Sequence, residues 1–561
     1  MRLSQWFMTS TALLGAWLLL PAVAAAQASD ADKIQRLERQ TELLQQQLRE
    51  LKEEISQTRR KASKAEATAQ AAAAASPDKG PIVKAPPPPL HERVKVTLGG
   101  FLAAETVWRQ RNQVSDMGTP FAAIPYPFSP LYNENEFHGS ARQSRISLLV
   151  EGQLDPVQKL SGYYESDFLG TGTTSNYNQS NSWALRLRHA YLTYDNSYWG
   201  FHLLAGQSWS LLTQNQVGIT PRKENIPLTI DANYLPGFNY TRNWQIRLVQ
   251  DFGPISFGIS VEGPAAIFGG SAATAPAGTG GAFASGGTLV NGLLVNFNNP
   301  GQSFLTGVTP TTDRAPDVIE KMAFDPGWGH YELFGVQRFF TDNVFACFGA
   351  PCVLNSTALT GTASEKNTFG WGVGGSVLLP LVPKYLELTG SVLYGKGIGR
   401  YGAGQLPDVT IGLDGSLSPL TVLTAMVGLI AHPWEGLDVY AYAGMERANA
   451  NFFDTALVGA NPNLFGYGNP DFSNVGCPVT TPASFGGATP ANCIANNRRL
   501  AELTVGFWQN LYKGDFGRLA FGAQYKSSSG TPSAASAVRH PPPTTSSSRR
   551  CVTTHSDHYP L

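Results

Sequence analysis

The chain has 561 residues with 41 Lys and Arg against 41 Asp and Glu, so its formal charge is zero. It therefore lacks the basic excess that a nucleic-acid surface needs. Charged residues are only 15% of the chain, aromatics are 11% and Gly is 58 of 561, where a soluble domain carries roughly 25% charge and about 7% Gly. Mean hydropathy is -0.14, and beyond residue 26 no apolar run approaches the roughly 18 residues of a membrane helix. Polytopic helical membrane proteins are excluded. The remaining profile is that of an all-β chain with one face turned to something other than water.

In chain order, residues 1–26 read as a secretory signal peptide: Met1-Arg2, an apolar stretch from Thr11 to Leu20, and a small-residue end at Ala22 to Ala26. Residues 27–75 change character. Ile34, Leu37, Leu44, Leu48, Leu51 and Ile55 fall on a strict 3,4,3,4 spacing, the period of a left-handed coiled coil. The pairs Glu54/Arg59 and Lys61/Glu66 have the offset of parallel helices. The segment is expected to oligomerise in parallel in the periplasm. Residues 76–93, with Pro77, Pro81 and Pro86 to Pro89, form an extended spacer.

From Val94 the period drops from 3.5 to 2. Val94, Val96, Leu98 and Leu102 alternate with Lys95, Thr97 and Glu105, and similar windows recur to Tyr525. Fifteen windows are countable. Tight turns at Asp155-Pro156 and Asp251 to Pro254 contrast with long Gly/Ala/Asn-rich stretches at 263–313 and 444–497. Short turns on one side and long loops on the other predict an outer-membrane barrel over 94–525, of about 16 antiparallel strands because bacterial barrels have an even count. Trp108, Trp199, Trp244, Trp371, Tyr385 and Tyr394 fall near strand ends, where interfacial girdles form. Residues 526–561 are Ser-, Pro- and Thr-rich and show no strand pattern; they read as an aberrant tail, a frameshifted version of the closing strand.

The five cysteines suit an exported chain. Cys347/Cys352 and Cys477/Cys493 lie in loop-like stretches that an oxidising periplasm can cross-link, and no His accompanies either pair to make a metal site. No catalytic elbow, zinc-protease or phosphate-loop motif occurs, so no enzymatic activity, cofactor or metal is expected. Alternation instead directs charges inward: Arg145, Arg186, Arg188 and Arg247, with Glu151, Glu165, Asp167 and Glu262, are the expected pore-lining residues. Arg186 and Arg188 stand two apart on one face, a rung suited to carboxylates because the guanidinium fork meets both oxygens. The mixed signs leave selectivity open from the residues alone.

Several segments together are familiar: the heptad helix, the Pro-rich spacer, Lys95-Val-Thr-Leu-Gly-Gly-Phe101, Leu185-Arg-Leu-Arg-His-Ala-Tyr191, Ala205-Gly-Gln-Ser-Trp209, Ala323 to Phe334 and Gly397-Ile-Gly-Arg-Tyr401. In this order the chain resembles the DcaP-like outer-membrane porins over residues 30–525. The resemblance implies a homotrimer of sixteen-stranded barrels in the outer membrane of a Gram-negative bacterium, with a periplasmic coiled coil. It also implies passive uptake of small anions such as dicarboxylates, and a closing aromatic strand recognised by the barrel assembly machinery; Ser527 to Leu561 offers no such strand. A structural or adhesive protein that uses its barrel as an anchor is the alternative, since the 264–313 loop could fold inward to narrow a pore or outward to adhere.

Overall fold

A strand that alternates apolar and polar residues is stable only if its apolar face is covered by protein or hydrocarbon and both of its edges are paired. The computed structural model describes residues 94–553 other than Phe128, 171–183, 270–287, 291–292, 296–307, 310–313, 347–362, 413, 455–463, 469–478, 480–496, 516 and 533–543. The expected signal peptide, the heptad helix with Ile34, Leu37, Leu44, Leu48, Leu51 and Ile55, the spacer, and Cys347, Cys352, Cys477 and Cys493 lie outside the described residues.

The two strands nearest the N-terminus are each interrupted once. β1 is Val94–Phe101 continued by Ala104–Arg109, and β2 is Glu136–Ser140 continued by Arg145–Asp155. There follow β3 (Gln158–Gly170), β4 (Ala184–Asn196), β5 (Phe201–Trp209), β6 (Arg242–Phe252), β7 (Ile255–Glu262) and β8 (Asp317–Phe324). The second half comprises β9 (His330–Ala346), β10 (Ala363–Val382), β11 (Leu386–Lys396), β12 (Thr421–Trp434), β13 (Leu437–Ala448), β14 (Asn497–Gly514), β15 (Gly517–Pro532) and β16 (Thr544–Thr553). Each pairs antiparallel with the next, and β16 pairs with β1 from Ala104↔Thr553 to Arg109↔Ser548, so the sheet returns on itself. Tight turns join β2–β3, β4–β5 and every later even–odd pair, while the longer connections lie at the opposite end.

The closing strand corrects the expectation that the strands end at Tyr525. β15 continues to Pro532, with Lys526 and Ser528 buried, and β16 lies within the Ser/Thr-rich stretch that shows no alternation. Pairing decides this strand. With β1 on one side and β15 on the other, its backbone satisfies two edges that would otherwise expose N–H and C=O groups, a requirement that outweighs weak side-chain patterning.

The outer face is apolar and ends in two aromatic rows. Trp199, Phe252, Trp328, Tyr385, Trp434 and Tyr512 are exposed at the tight turns; Trp108, Phe137, Trp244, Phe369, Tyr394 and Tyr525 are exposed toward the other end. From Trp244 to Phe252 β6 advances about 27 Å at ~3.4 Å per residue, and a tilt of about 40° reduces this to roughly 20 Å of height, close to the hydrocarbon band of outer-membrane barrels. An outward polar pair lies within the band: Gln337 Nε2 donates to Glu320 Oε1 at 3.1 Å.

Candidate functional site

The inner face is where chemistry concentrates, and it is not uniformly open. Residues 210–241, between β5 and β6, fold inward because Leu211, Leu212, Ile219, Ile230, Leu235 and Phe238 are apolar and become fully buried there. Each such side chain contributes about 1.5–3 kcal/mol on burial. Their partners include inward residues that break the polar pattern of a lumen, among them Val249, Ile319, Phe334, Val336, Leu393 and Val422. Among the described residues 210–241 is thus a segment that folds inward; the loop at 264–313, whose inward or outward course the sequence leaves open, lies largely outside the described residues. The apolar residues of 210–241 were the available signal.

This inner loop is fastened to the β8–β15 side by polar contacts. Lys321 Nζ donates to Thr213 O at 2.7 Å and pairs with Glu332 at 3.0 Å, and Glu332 also accepts from the backbone N–H of Asn215 at 2.9 Å. Asp325 accepts from the N–H of Gly218 at 2.8 Å. Farther along, Asp231 pairs with Lys526 at 2.7 Å, and Lys526 also meets Glu502 at 3.0 Å, all three fully buried. Glu446 accepts from the N–H groups of Gly237 and Gly404 at 2.9 and 2.7 Å, joining the loop to the 399–404 turn. Two glycines permit the approach: a Cβ on Gly237, whose φ is +89°, would stand 2.1 Å from Ala425 O, and one on Gly444 would stand 1.9 Å from Pro236 O.

The β1–β4 side differs. Its inward positions Lys95, Thr97, Arg145, Glu151, Lys159, Tyr163 and Arg186 keep partial or full exposure. Here the expected arginines and carboxylates come together on β2, β3 and β4. Arg186 donates to both oxygens of Asp167, from Nε at 2.9 Å and Nη2 at 2.7 Å, the fork geometry of a bidentate pair. Arg188 bridges Glu165 at 2.5 Å and Asp167 at 2.9 Å, and Arg145 lies 3.8 Å from Glu165. Lys159 pairs with Glu151 at 3.3 Å. Three of the four cations are more exposed than their partners: the Arg145 side chain is 24% exposed against 9% for Glu165, Arg186 32% against 1% for Asp167, and Lys159 36% against 20% for Glu151, whereas Arg188 is 3% exposed against 9% for Glu165. The carboxylates lie behind a basic surface.

Five expected lining residues are buried instead, Glu165 and Asp167 behind their cations among them. Arg188 is buried within the ladder. Arg247 is buried under the inner loop, donating to Gln245 Oε1 and Trp209 O at 3.0 and 2.7 Å. Glu262 is fully buried and accepts from the N–H of Leu211 at 2.7 Å. These last two hold the loop's entry rather than a solvent-reached surface; alternation identifies the inner face but not what covers it. Sequence reading missed Arg222 and Arg242. The Arg242 guanidinium lies 4.6 Å above the Trp209 ring, and that of Arg222, on the inner loop, lies 5.7 Å from the Tyr163 ring.

No protein-family profile matches the chain, and no curated protein matches it. Solved structures do. The outer membrane channel DcaP of Acinetobacter baumannii superposes with a TM-score of 0.51 at 15% identity, over 82% of this chain and 98% of that one. An anion-selective porin from Comamonas acidovorans aligns at a TM-score of 0.40 and 11% identity, over 82% and 99% of the two chains. OprB of Pseudomonas putida aligns at 0.41 and 10%, over 83% and 95%. At these identities the likeness is one of fold: the chain has the barrel architecture of the outer membrane channel DcaP.

Proposed function

We propose that this chain is an outer-membrane porin of a Gram-negative bacterium, a sixteen-stranded barrel through which small anionic solutes such as dicarboxylates diffuse passively. The observation that carries the reading is the asymmetry of the wall pairs on β2–β4: Arg145, Arg186 and Lys159 face solvent more than Glu165, Asp167 and Glu151 do. A solute in the lumen meets guanidinium and ammonium before it meets carboxylate, and in a narrow water-filled path the nearer charge dominates. The apolar outer face and its two aromatic rows support lipid as the surrounding medium.

In this reading the chain is exported by its signal peptide and inserted by the barrel assembly machinery. It forms a homotrimer joined by a parallel coiled coil of residues 27–75 in the periplasm, with Cys347/Cys352 and Cys477/Cys493 as disulfide candidates. The solute moves down its gradient, and the protein supplies the path, the charge and the cross-section left by the inner loop. The apolar packing inside the barrel favours one competing reading, an anchor whose filled lumen carries adhesive loops. Reversal potential in a planar bilayer under a salt gradient separates them: a conducting, anion-favouring protein supports the porin, and a folded protein without conductance supports the anchor.

A further inference from the structure

Like charges set directly opposite each other on neighbouring strands repel, so such a pair calls for a neutralising anion. Arg447 on β13 and Arg499 on β14 are direct register partners, and both are exposed. They stand on the outward face, Arg447 in line with Val439 and Arg499 in line with Leu503 and Val505, all three of which are exposed. Opposite positions of this kind have Cβ atoms about 5 Å apart. Lys396 on β11 is exposed on the same face, two residues beyond Tyr394. Tyr394 pairs with Leu423 and Leu423 with Arg447. Lys396 therefore stands roughly 12 Å from Arg447, two strand spacings across and two residues along. Among the described residues none of the three cations enters an ion pair; Arg499 Nη2 donates to Thr531 Oγ1 at 3.4 Å. Their outward register neighbours Thr421, Leu423, Met445 and Ala501 carry no negative charge.

The height of this patch on the barrel decides what it meets. All three cations lie at the strand ends nearest the long connections, the end that faces outside in an outer-membrane barrel. Tyr394 belongs to the aromatic row of that end, and aromatic rows mark the level of lipid headgroups. Cations just past the row are level with headgroup phosphates, outside the lumen and above the hydrocarbon. Their flexible apolar stems can lie along the barrel while the charged ends converge, and an arginine fork meets two phosphate oxygens at once. We propose that Lys396, Arg447 and Arg499 form a binding site for the phosphate of an outer-leaflet glycolipid of the lipopolysaccharide class. The site rests on the outer-membrane setting proposed above and is independent of whether the barrel conducts.

The experiment titrates diphosphorylated lipid A onto the full-length protein in non-ionic detergent and reads bound lipid by native mass spectrometry, with thermal unfolding of each sample. Dephosphorylated lipid A and inorganic phosphate are the comparison probes. Wild type is expected to bind the diphosphorylated lipid at least tenfold more tightly than the dephosphorylated one. Arg447→Gln with Arg499→Gln should weaken that binding about tenfold or more through the loss of charge-assisted hydrogen bonds, and Lys396→Gln should weaken it less. Without lipid the double variant should unfold at the same or a higher temperature, because a repelling pair is gone. A wild type that holds both lipids equally, or a folded double variant with wild-type affinity, would overturn the site. Displacement of the lipid by an equal concentration of inorganic phosphate would show a site for free anions and overturn the glycolipid assignment.

Discussion

Asp167→Asn tests the charge asymmetry of the wall directly. Asp167 is 1% exposed and accepts from Arg186 Nε and Nη2 and from Arg188 Nη1, at 2.9, 2.7 and 2.9 Å. An Asn keeps the shape and one acceptor oxygen but removes the negative charge from behind two guanidinium groups. Stability should fall by about 1–3 kcal/mol, the range for losing a charged partner in a hydrogen-bonded network. Arg188 keeps Glu165 at 2.5 Å and Arg186 is about one-third exposed to solvent, so the larger cost of stranding a buried charge does not apply. The lumen gains one net positive charge. At about 4 Å in a water-like dielectric this is worth about 1 kcal/mol, so the chloride-to-potassium permeability ratio should rise about fivefold. The assay is reversal potential under a KCl gradient, with denaturant unfolding of the same sample. A ratio that falls or does not move would refute the idea that the buried carboxylates restrain a basic surface.

Other outcomes follow from the same contacts. Replacing Arg186 and Arg188 together by Ser leaves Asp167 without its arginine partners and should lower the anion ratio, by about fivefold for the solvent-facing Arg186 alone, with the oligomeric state read by size-exclusion chromatography unchanged. Glu320→Leu, which removes a carboxylate from the outward apolar band, should stabilise the barrel by about 1 kcal/mol in detergent unfolding; destabilisation would mean that this face is covered by something polar. Truncation after Pro532 removes β16 and leaves β1 and β15 unpaired, so the heat-modifiable folded form on gels should be lost; its survival would show that the ring closes another way. Deleting residues 30–75 should weaken trimerisation, and an unaltered trimer in detergent would show that barrel contacts suffice.

Much of the fold is legible in the residues because period-2 alternation is a local signal. Trp244, Ile246 and Leu248 against Gln245 and Arg247 fix the two faces of β6, and the structure places the first three outward and exposed and the other two inward and buried. The tight turns are equally local. β16 was not legible, because its place is imposed by the edges of β1 and β15 and Ser/Thr-rich sequence carries no alternation of its own. The inner loop was missed for a related reason. Leu211, Leu212 and Ile219 have no strand or helix period, and what they cover is set by residues 30 to 200 positions away, such as Val249, Ile319 and Leu393. The site was half legible. Arg145, Arg186, Glu165 and Asp167 could be put on one face from spacing, but which partner of each pair faces solvent depends on three strands together. Arg222 reaches the wall only through the path of the loop.

The most direct test of the central claim is the reversal potential of the purified full-length protein in a planar bilayer under a KCl gradient. The account predicts channels whose zero-current potential lies on the chloride side. Potassium-favouring channels, or a folded protein that inserts and passes no current, would contradict it.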